Sequence, residues 1–458
     1  MITLPNGFLS VFAIAMVIAV ACDSESTTVP TEAPMTEAPL TEATQTSDCP
    51  GCLLRERVAS AQPGDTIDIA AGVYTMTGGE LLIDKDLTLI GAGAEITVIQ
   101  AADSLDMAVH RVIRITEKSV VTISGVTIRY GSEASTEVRM IPFHSEAVGM
   151  PSSGMEAVRA EFGGGIYNQG TLTLIDSIVS ENYAGGGGGI FNGAKVIIEN
   201  SAIRGNRTRG FGAGIFNGGI LLGSNRVIEG NAAGGGAGLS NWGEASLVTT
   251  TIDGNRSKIS GGGLHNNSIG TMTLDSSTVS NNESALAGGI NNWGRLRIIN
   301  STISHNTAKF AAGIDNRGVL TLTNSTVSGN AAKEGGGLVV RAMVKNGAVS
   351  MFNTILAGNT AERGPDCIGV VISRGHNLVG IDSGCGFVPG EGDTMGTTAQ
   401  PIDPKLGGLA ANGGATATKA LLPDSPAIDA ADGSCPSVDQ RGVPRPRGAS
   451  CDIGAYER

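Results

Sequence analysis

The chain has 458 residues, of which 68 are glycine, only 4% are aromatic and 16% are charged. A core assembled from so many small residues needs many small aliphatic contacts, which an elongated repeat structure supplies and few compact folds do. The formal net charge of −12 and the lack of a Lys/Arg cluster along the sequence argue against nucleic acid or an anionic membrane surface as a partner.

Residues 1–22 are predicted to be a signal peptide. The stretch 8–21, FLSVFAIAMVIAVA, is short for a membrane span and typical of the core of a secretory signal. It ends in AVAC, which resembles a bacterial lipobox and makes Cys22 the candidate lipidated residue, although no Lys or Arg precedes the stretch and alanine stands where leucine is preferred. An ordinary signal cleaved near Ala21 is the alternative. We therefore expect an exported protein that is lipid-anchored at the outer face of the cell envelope, or else secreted.

Residues 23–48 are predicted to be a linker. They repeat Thr, Glu, Ala and Pro, as in TEAPMTEAPLTEAT. Such a segment cannot bury a core and forms an extended, self-repelling spacer. It would hold the folded part of the protein away from the surface that carries the Cys22 lipid.

Residues 49–131 are predicted to contain an N-terminal cap and the first repeats. Residues 53–75 combine a short amphipathic helix with a first strand, and the helix would cap the open end of a stack of strands. LLIDKDLTLIGAG and VVTISGVTIRYG then have the pattern of further repeats. Residues 132–161 are irregular and are predicted to be a loop insertion, which is either a binding loop or a plain surface loop.

Residues 162–360 form a repeat rich in glycine and asparagine, with a period of 24 to 26 residues. An aliphatic residue follows the glycines at Ile166, Ile190, Ile215, Leu239, Leu264, Ile290, Ile314 and Leu338. A second aliphatic column contains Val179, Ile203, Ile228, Ile252, Val279, Ile303, Val327 and Leu356. An asparagine recurs at Asn182, Asn206, Asn231, Asn255, Asn282, Asn306 and Asn330. Such a fixed period indicates stacked units that cannot bury a face alone.

Each repeat holds three short strand-like runs, as in GGIYN, TLTLIDS and SIVSEN, and no run with helical spacing. The predicted fold is therefore all-β, a right-handed, single-stranded parallel β-helix with an N-terminal helical cap and a disulfide-linked C-terminal cap. Each residue would lie about 4.8 Å from its equivalent in the next coil, so stacked asparagines could exchange amide hydrogen bonds. A leucine-rich repeat fold is not supported, because its consensus is absent from the sequence. A propeller is not supported either, because its blades need longer repeats.

Residues 361–458 are predicted to form a C-terminal region and cap. Its structure would be locked by attraction between oppositely charged residues, which are Asp439, Arg441, Arg445, Arg447, Asp452 and Glu457. Besides Cys22, the cysteines fall into close pairs: Cys49 and Cys52, Cys367 and Cys385, and Cys435 and Cys451. In an exported chain this arrangement indicates disulfides, and we favour the nearest-neighbour pairs among the possible connectivities. A redox or metal role for CPGC is disfavoured, because no thioredoxin-like unit or second metal pair surrounds it. No metal site and no cofactor are predicted.

The segments CLLRERVASAQPGDTIDIAAGVY, GGGIYNQGTLTL, DPKLGGLAANGGATATKALLPDSPAID and DQRGVPRPRGASCDIGAYE together resemble the bacterial choice-of-anchor Q proteins. The resemblance covers residues 49–458, and the repeats are also similar to those of chlamydial polymorphic outer-membrane proteins. It implies an exported right-handed β-helix of the pectin-lyase-like superfamily and a surface location, but no particular reaction. Family members carry differing anchoring signals, usually C-terminal. Because this chain stops after GAYER, we expect the N-terminal lipid to replace such a signal.

The outward residues of the repeats suggest a binding surface. If Ile166 and its equivalents point inward, the next residue in each coil points outward. Together with a nearby corner position, this rule gives a candidate ligand-binding strip: Tyr167, Phe191, Phe216, Trp242, His265, Trp293, Asp315 and Arg317. Flat aromatic faces flanked by polar groups suit the apolar faces and hydroxyls of a sugar chain. The alternatives are aromatic residues that shield the strand edges and a protein-docking surface.

Catalysis is disfavoured by the same outward row. Ser240 and His265 occupy neighbouring coils, but Asn291 separates His265 from Asp315, so no catalytic triad is expected. Asp315 is the only carboxylate of the row, whereas a glycosidase needs two and a calcium-dependent lyase needs an acidic cluster. No catalytic residues are therefore assigned.

The sequence thus predicts a monomeric, adhesin-like surface protein that binds polysaccharide or another cell's surface. Its contact with the membrane would be through the lipid alone, and nucleic acid is not an expected partner. A polysaccharide lyase or glycoside hydrolase on the same scaffold is the alternative. A structural spacer without a ligand is the second alternative.

Overall fold

A computed structural model describes residues 49–133, 162–341 and 349–458 of the chain. It is an all-β parallel solenoid of about 12 turns with one short helix near its N-terminus, which confirms the predicted fold class. The predicted signal peptide, Cys22 and the linker lie outside the described residues, as do residues 134–161 of the predicted insertion. Ser132–Glu133, placed in that insertion from the sequence, form a strand instead.

Each coil contributes strands to parallel columns, in which equivalent strands pair from one coil to the next. Column 1 holds the strands that follow the glycines, which are Leu81–Ile83, Ile113–Ile115, Ile166–Asn168, Ile190–Asn192, Ile215–Asn217, Leu239–Asn241, Leu264–Asn266, Ile290–Asn292, Ile314–Asn316 and Leu338–Val340. Column 2 holds Asp65–Ile69, Leu87–Gly91, Val120–Ser124, Thr171–Ile175, Lys195–Glu199, Thr271–Asp275, Arg295–Ile299, Val319–Thr323, Val349–Phe352 and Cys385–Val388.

Column 3 follows at the next corner and holds Gly72–Thr75, Thr97–Gln100, Thr127–Arg129, Ile178–Ser180, Ala202–Arg204, Thr278–Ser280, Thr302–Ser304, Thr326–Ser328, Ile355–Leu356, Leu378–Val379 and Thr394–Met395. The longer strands Ile220–Glu229 and Glu244–Asp253 run through columns 2 and 3, and Cys367–Ser373 runs through columns 1 and 2. Column 4 holds Ser132–Glu133, Tyr183–Ala184, Arg207–Thr208, Ala232–Gly235, Arg256–Ser260, Glu283–Leu286, Thr307–Phe310 and Ala331–Glu334.

Column 4 was not predicted, so the expectation of three strands per repeat is incomplete. Its strands are as short as the dipeptide Tyr183–Ala184. Such short segments, rich in alanine and serine, carry too little alternation of apolar and polar residues to be recognised as strands.

The core is a set of aliphatic columns that run along the inside of the solenoid. Ile166 pairs in register with Ile190, which pairs with Ile215, and all of them are completely buried. Val179 and its equivalents form a matching column on the inner side of column 3. The predicted vertical stacking of equivalent residues is therefore confirmed.

The predicted asparagine ladder is also confirmed, and it lies buried at the corner between columns 3 and 4. The Asn182 side-chain amide donates to Asn206 Oδ1 at 3.0 Å, and the same bond recurs at each following coil. The last asparagine, Asn359, donates to Asp366 Oδ1 at 2.9 Å. A carboxylate accepts but cannot donate, so Asp366 ends the ladder. A second ladder, which the sequence analysis missed, begins at Asn168 in column 1.

Both ends of the solenoid are covered. Helix α1 (Pro50–Ser60) buries Leu54 and Val58 against the first coils. At the other end the strands continue to Thr394–Met395, well past the predicted boundary at residue 360. A C-terminal block, residues 402–458, includes the antiparallel strands Leu406–Ala410 and Thr418–Leu421. A single 3₁₀ turn, Leu105–Met107, is the other helical element in the described residues.

The C-terminal block packs against the outer side of column 3. Thr278 donates its hydroxyl to the Ala417 carbonyl at 2.6 Å, and Thr302 donates to Gln440 Oε1 at 2.6 Å. Inside the block, Arg445 forms a buried ion pair with Glu457 at 2.9 Å. The predicted disulfides are confirmed, since the cysteine pairs 49–52, 367–385 and 435–451 are bonded.

Candidate functional site

The predicted aromatic strip lies on the outer side of column 1, and its rings stack on one another along the solenoid axis. The ring centroids of Tyr167 and Phe191 are 5.1 Å apart, with planes inclined by 12°. Phe191 and Phe216 follow at 5.5 Å and 22°, and Phe216 and Trp242 at 5.8 Å and 26°. Because each ring face covers the next, this part of the strip presents ring edges outward. The expectation of flat faces offered to a sugar is corrected for these residues.

Two aromatic residues that the sequence analysis missed complete this stack. Phe162 stacks on Phe191 with centroids 4.5 Å apart, and Phe211 packs 5.7 Å from the His265 ring. Each of the two phenylalanine rings lies against a glycine of the next coil, Phe162 against Gly186 and Phe211 against Gly235. A Cβ at Gly186 would come within 2.7 Å of the Phe162 ring, so a larger residue would not fit there. The available signal was the alternation of phenylalanine and glycine at Phe162, Gly186, Phe211 and Gly235, which does not continue into the later coils.

Trp242 and Trp293 occupy the same corner position, separated by the coil that carries Asn267. The indole N–H of Trp242 donates to Ser240 Oγ at 3.2 Å, and that of Trp293 donates to Asn291 Oδ1 at 3.0 Å. The Arg317 guanidinium lies over the Trp293 ring at 4.6 Å. Both tryptophans are partly exposed, and both are tied to the outward row of column 1.

The polar members of the strip are nearly buried, and their partners come from within the protein. Asp315 is 1% exposed, and its carboxylate accepts from Arg341 at 2.9 Å and pairs with Arg317 at 3.4 Å. His265 is 8% exposed, and its Nδ1 lies 3.2 Å from the Asn291 side-chain amide. Asn291 contacts the histidine, and two arginines bind the aspartate.

The burial of His265 makes the stability of the protein sensitive to acid. Desolvation, with a smaller contribution from the Arg317 charge, lowers the pKa of His265 from 6.5 to about 4. The unfolded chain therefore binds a proton on this ring between pH 6.5 and about 4, whereas the folded protein does not. We expect the free energy of unfolding to fall by about 3 kcal/mol through this group over that range and to change no further below it.

Chemical unfolding of the wild type and of His265→Asn, at neutral pH and near pH 4, measures this effect. The Asn variant matches Asn291 of the next coil and does not titrate, so it should lose less stability in acid than the wild type does. Equal losses in the two proteins would contradict the assignment.

A different surface, on the outer side of column 3, has the geometry of a binding site. Here the solenoid carries a groove of about 600 Å³, which we call the axial groove because successive coils line it. Its lining residues are Ala94, Glu95, Val98, Thr127, Arg129, Ser180, Glu181, Arg204, Gly205, Glu229, Gly230, Asp253 and Gly254. Its volume lies within the range of ordinary ligand sites.

Glycines open the axial groove along one side. Gly205, Gly230 and Gly254 occupy equivalent positions with φ between 61° and 64°, the left-handed conformation that glycine adopts without strain. A Cβ at Gly254 would meet no atom within 4 Å, and a Cβ at Gly230 would meet only the Gly205 nitrogen, at 4.0 Å. These glycines therefore face open space. Because they carry no side chains, they leave an unobstructed lane along the solenoid axis.

Charged side chains of both signs border this lane, one arginine followed by two carboxylates. Arg204, Glu229 and Asp253 pair in register across successive coils. Asp253 Oδ1 accepts hydrogen bonds from Ser280 Oγ and from the Asn281 side chain, both at 2.7 Å, which fixes its carboxylate.

The N-terminal part of the groove holds a second set of oriented groups. Arg129 donates to Gln100 Oε1 at 3.0 Å and lies over the Tyr130 ring at 4.6 Å. Burial of Tyr130 and its hydrogen bond with Glu181 raise the pKa of its phenol. The groove thus offers both hydrogen-bond donors and acceptors in fixed positions.

The sequence analysis missed the axial groove, although a signal was present. The triplets RGN, EGN and DGN occur at residues 204–206, 229–231 and 253–255. Each places a charged residue and a glycine immediately before a ladder asparagine. The asparagine column is visible in the sequence, and the two residues before it in these coils form the groove surface.

Within residues 49–133, 162–341 and 349–458, no group of three or more His, Cys, Asp and Glu side chains is placed to hold a metal ion. Nor does any helix in those ranges have the length and apolarity needed to cross a membrane.

Comparisons with known proteins show structural similarity to solved proteins but assign the chain to no family. No protein-family model matches the chain, and no curated protein matches it. Among solved structures, it is similar to the pectate lyase Pel9A, with a TM-score of 0.46 and 15% identity over 88% of this chain and 90% of that chain. It is also similar to a PL6 alginate lyase solved with a trisaccharide, with a TM-score of 0.38 and 12% identity over 82% of this chain and 89% of that chain. The resemblance to choice-of-anchor Q proteins stays a prediction.

Proposed function

We propose that the protein binds an extended polysaccharide in the axial groove. The observation that carries this proposal is the open lane beside Gly205, Gly230 and Gly254, bordered by Arg204, Glu229 and Asp253. A polymer that lies along the axis meets an equivalent protein position about every 4.8 Å. Charged groups held in fixed positions form strong hydrogen bonds with sugar hydroxyls. Arginine donates these hydrogen bonds, and carboxylates accept them.

The C-terminal block limits the groove at one end. It covers the outer side of column 3 from the coil of Thr278 onward, where Ala417 and Thr416 accept and donate hydrogen bonds to the solenoid. The groove lining ends one coil earlier, at Asp253 and Gly254. A bound chain would therefore extend from this wall toward the N-terminal coils.

Side chains placed in the lane test the proposal. In Gly230→Asn/Gly254→Asn, asparagine tolerates the left-handed backbone, as Asn281 does at the equivalent position of the next coil. We expect the variant to remain folded and to lose at least about tenfold in affinity for glycans that the wild type binds on an array, which is about 1.4 kcal/mol.

Gly64→Asn is the matched control, because Gly64 also has a positive φ and open space around it but lies outside the groove. Its glycan binding should equal that of the wild type. Unchanged binding by the double variant, or no binding by the wild type across neutral and charged polysaccharides, would contradict the proposal.

The aromatic strip is the second candidate surface for an adhesin-like role. The partly exposed Trp242 and Trp293 are the features that favour it. If the ligand lies there, Trp242→Ala/Trp293→Ala should abolish binding to the array while Gly230→Asn/Gly254→Asn retains it. The reverse result assigns the ligand to the axial groove.

An enzymatic alternative rests on two carboxylates in the axial groove. Glu229 and Asp253 are register partners in neighbouring strands and line the same groove, and a glycosidase needs two carboxylates beside the scissile bond. New reducing ends on incubation with polysaccharides, lost in Glu229→Gln, would support a hydrolase. New unsaturated absorbance would support a lyase instead.

We also propose that the protein is exported and anchored through a lipid on Cys22. This proposal rests on the AVAC motif and on the linker composition. Mass spectrometry of the mature N-terminus tests it, since a lipidated Cys22 supports anchoring and an unmodified terminus near residue 22 indicates a secreted protein.

A further inference from the structure

A basic surface lies on the outer side of column 4, away from the residues of the axial groove. It forms a second, shallower groove of about 500 Å³. The cations on this surface, which we call the basic face, are Arg207, Arg256, Lys258, Lys309 and Lys333. All five are exposed, and they come from four coils, because Arg256 and Lys258 share the strand Arg256–Ser260. The chain as a whole carries a net charge of −12, so this concentration of positive charge opposes the overall balance.

Most of these cations are unpaired. Arg256 forms an exposed ion pair with Glu283 at 3.3 Å. In the described parts of the chain, no carboxylate lies within 4.0 Å of a charged nitrogen of Arg207, Lys258, Lys309 or Lys333. Lys309 instead lies 5.6 Å from the centre of the Phe310 ring. Lys309 and Lys333 lie on neighbouring coils, whereas one coil separates Arg207 from Lys258 and another separates Lys258 from Lys309. A polyanion that spans these coils would offset the repulsion between the like charges.

The floor between the cations is built from small side chains. Ala232, Ala233, Ser284 and Ala285 line it, so the backbone of column 4 forms a shallow trough along the axis. Arg207, Arg256, Lys258 and Lys309 line the same groove. A narrow, extended polymer that follows the axis could therefore contact all four cations.

We propose that the basic face binds an anionic polysaccharide, one that carries carboxylate or sulfate groups along an extended chain. Charge complementarity selects the sign of the ligand, and the alignment of the cations along the axis selects a linear polymer. The inference does not depend on the axial groove, because the two surfaces share no lining residue.

Single-stranded nucleic acid fits this face less well. Proteins that bind it combine positive charge with aromatic side chains on which bases stack. The residues that line this trough include no aromatic side chain. A carboxylated sugar chain needs only the cations and hydrogen-bond donors that the face provides.

Charge reversal tests the proposal. Lys258→Glu/Lys309→Glu changes two exposed cations of the basic face, and Arg295→Glu/Arg297→Glu makes the same change in net charge on the outer side of column 2. Binding of the full chain to polygalacturonate is measured by calorimetry at low and at physiological ionic strength. We expect the first variant to lose about tenfold or more in affinity and the second less than about twofold. Neutral dextran should not bind to the basic face.

Several outcomes would overturn the proposal. These are equal losses in the two charge-reversal variants, no binding of polygalacturonate by the wild type, or tighter binding of a single-stranded oligonucleotide than of polygalacturonate. Gly230→Asn/Gly254→Asn separates the two surfaces, because it leaves every cation of the basic face in place. Loss of polygalacturonate binding in that variant, with retention in Lys258→Glu/Lys309→Glu, would assign the anionic ligand to the axial groove.

Discussion

Replacing Asn255 with alanine is expected to lower the free energy of unfolding by about 4 kcal/mol. Asn255 lies in the middle of the asparagine ladder and is completely buried. Its Oδ1 accepts from the Asn231 backbone N–H at 3.0 Å and from the Asn231 side-chain amide at 2.9 Å. Its own amide donates to the Ile228 carbonyl at 2.9 Å and to Asn282 Oδ1 at 3.0 Å.

The large effect follows from what alanine leaves behind. Two donors of Asn231 lose their shared acceptor, and the Ile228 carbonyl loses its side-chain donor, all at a buried corner. Each buried polar group without a partner costs about 1–3 kcal/mol, more than the net gain from a typical hydrogen bond. Alanine also removes packing against Gly238, where an added Cβ would lie 3.2 Å from the Asn255 side chain.

Denaturant unfolding followed by circular dichroism measures the change, with Asn281→Gly as the matched control. Asn281 is exposed and has a φ of 53°, a conformation that glycine adopts freely. The control should change the free energy of unfolding by less than about 1 kcal/mol. If Asn255→Ala were equally mild, the ladder would contribute specificity of register rather than stability.

The repeat architecture was predictable from the sequence because one residue type recurs at one position for a physical reason. Asn206 accepts a hydrogen bond from the Asn182 side chain and donates one to a backbone carbonyl, and its equivalents do the same in the other coils. Ile190 fills the core between the equivalent residues of the coils on either side. Neither position tolerates much variation, so the period is visible in a single sequence. The fold class, the stacking and the disulfide pairs follow from such constraints.

The surfaces were less predictable, because outward side chains obey no shared constraint. The alignment of Tyr167 with Phe191 was predicted correctly, but the orientation of their rings was not. Ring orientation depends on packing by residues from another corner, such as Phe162, which stacks on Phe191. Alignment alone does not distinguish a stack of rings from a row of exposed faces.

The basic face shows the same limit and requires a correction. The sequence contains no Lys/Arg cluster, and this absence argued against nucleic acid or an anionic membrane surface as a partner. In the structure, Arg207, Lys258 and Lys309 come from separate coils but share one face. Residues separated by about 24 or more positions become neighbours, so a cluster in space need not be a cluster in the chain. The argument against nucleic acid must therefore rest on the missing aromatic side chains instead.

Arg226 is the residue whose replacement should stabilise the protein most. It is 1% exposed and points into the solenoid core at the corner between columns 2 and 3. Equivalent coils carry a hydroxyl there, as in Thr250 and Ser277. Space for the guanidinium comes from Gly223, which replaces the core residue Ile198 of the preceding coil and Leu247 of the next. A Cβ at Gly223 would lie only 1.9 Å from the Arg226 Nη1 position.

Few interactions offset the desolvation cost of burying the Arg226 guanidinium. It donates to the carbonyls of Leu222, Gly223 and Ser246 at 3.2 to 3.4 Å, and its Nε has no partner. Within the described ranges no carboxylate pairs with it. Desolvation lowers the pKa of Arg226, which expresses the cost of holding this charge in the core.

We expect Arg226→Met to raise the free energy of unfolding by about 1–4 kcal/mol. Methionine has a similar length, adapts to irregular space and carries no charge, so it fills the room beside Gly223 without the desolvation penalty. Denaturant unfolding compares this variant with Arg295→Met, an exposed arginine of the same solenoid that should change stability by less than about 1 kcal/mol. A loss of stability in Arg226→Met would mean that the three long carbonyl contacts outweigh the cost of the buried charge. In that case the guanidinium, rather than its volume, would hold this corner of the solenoid together.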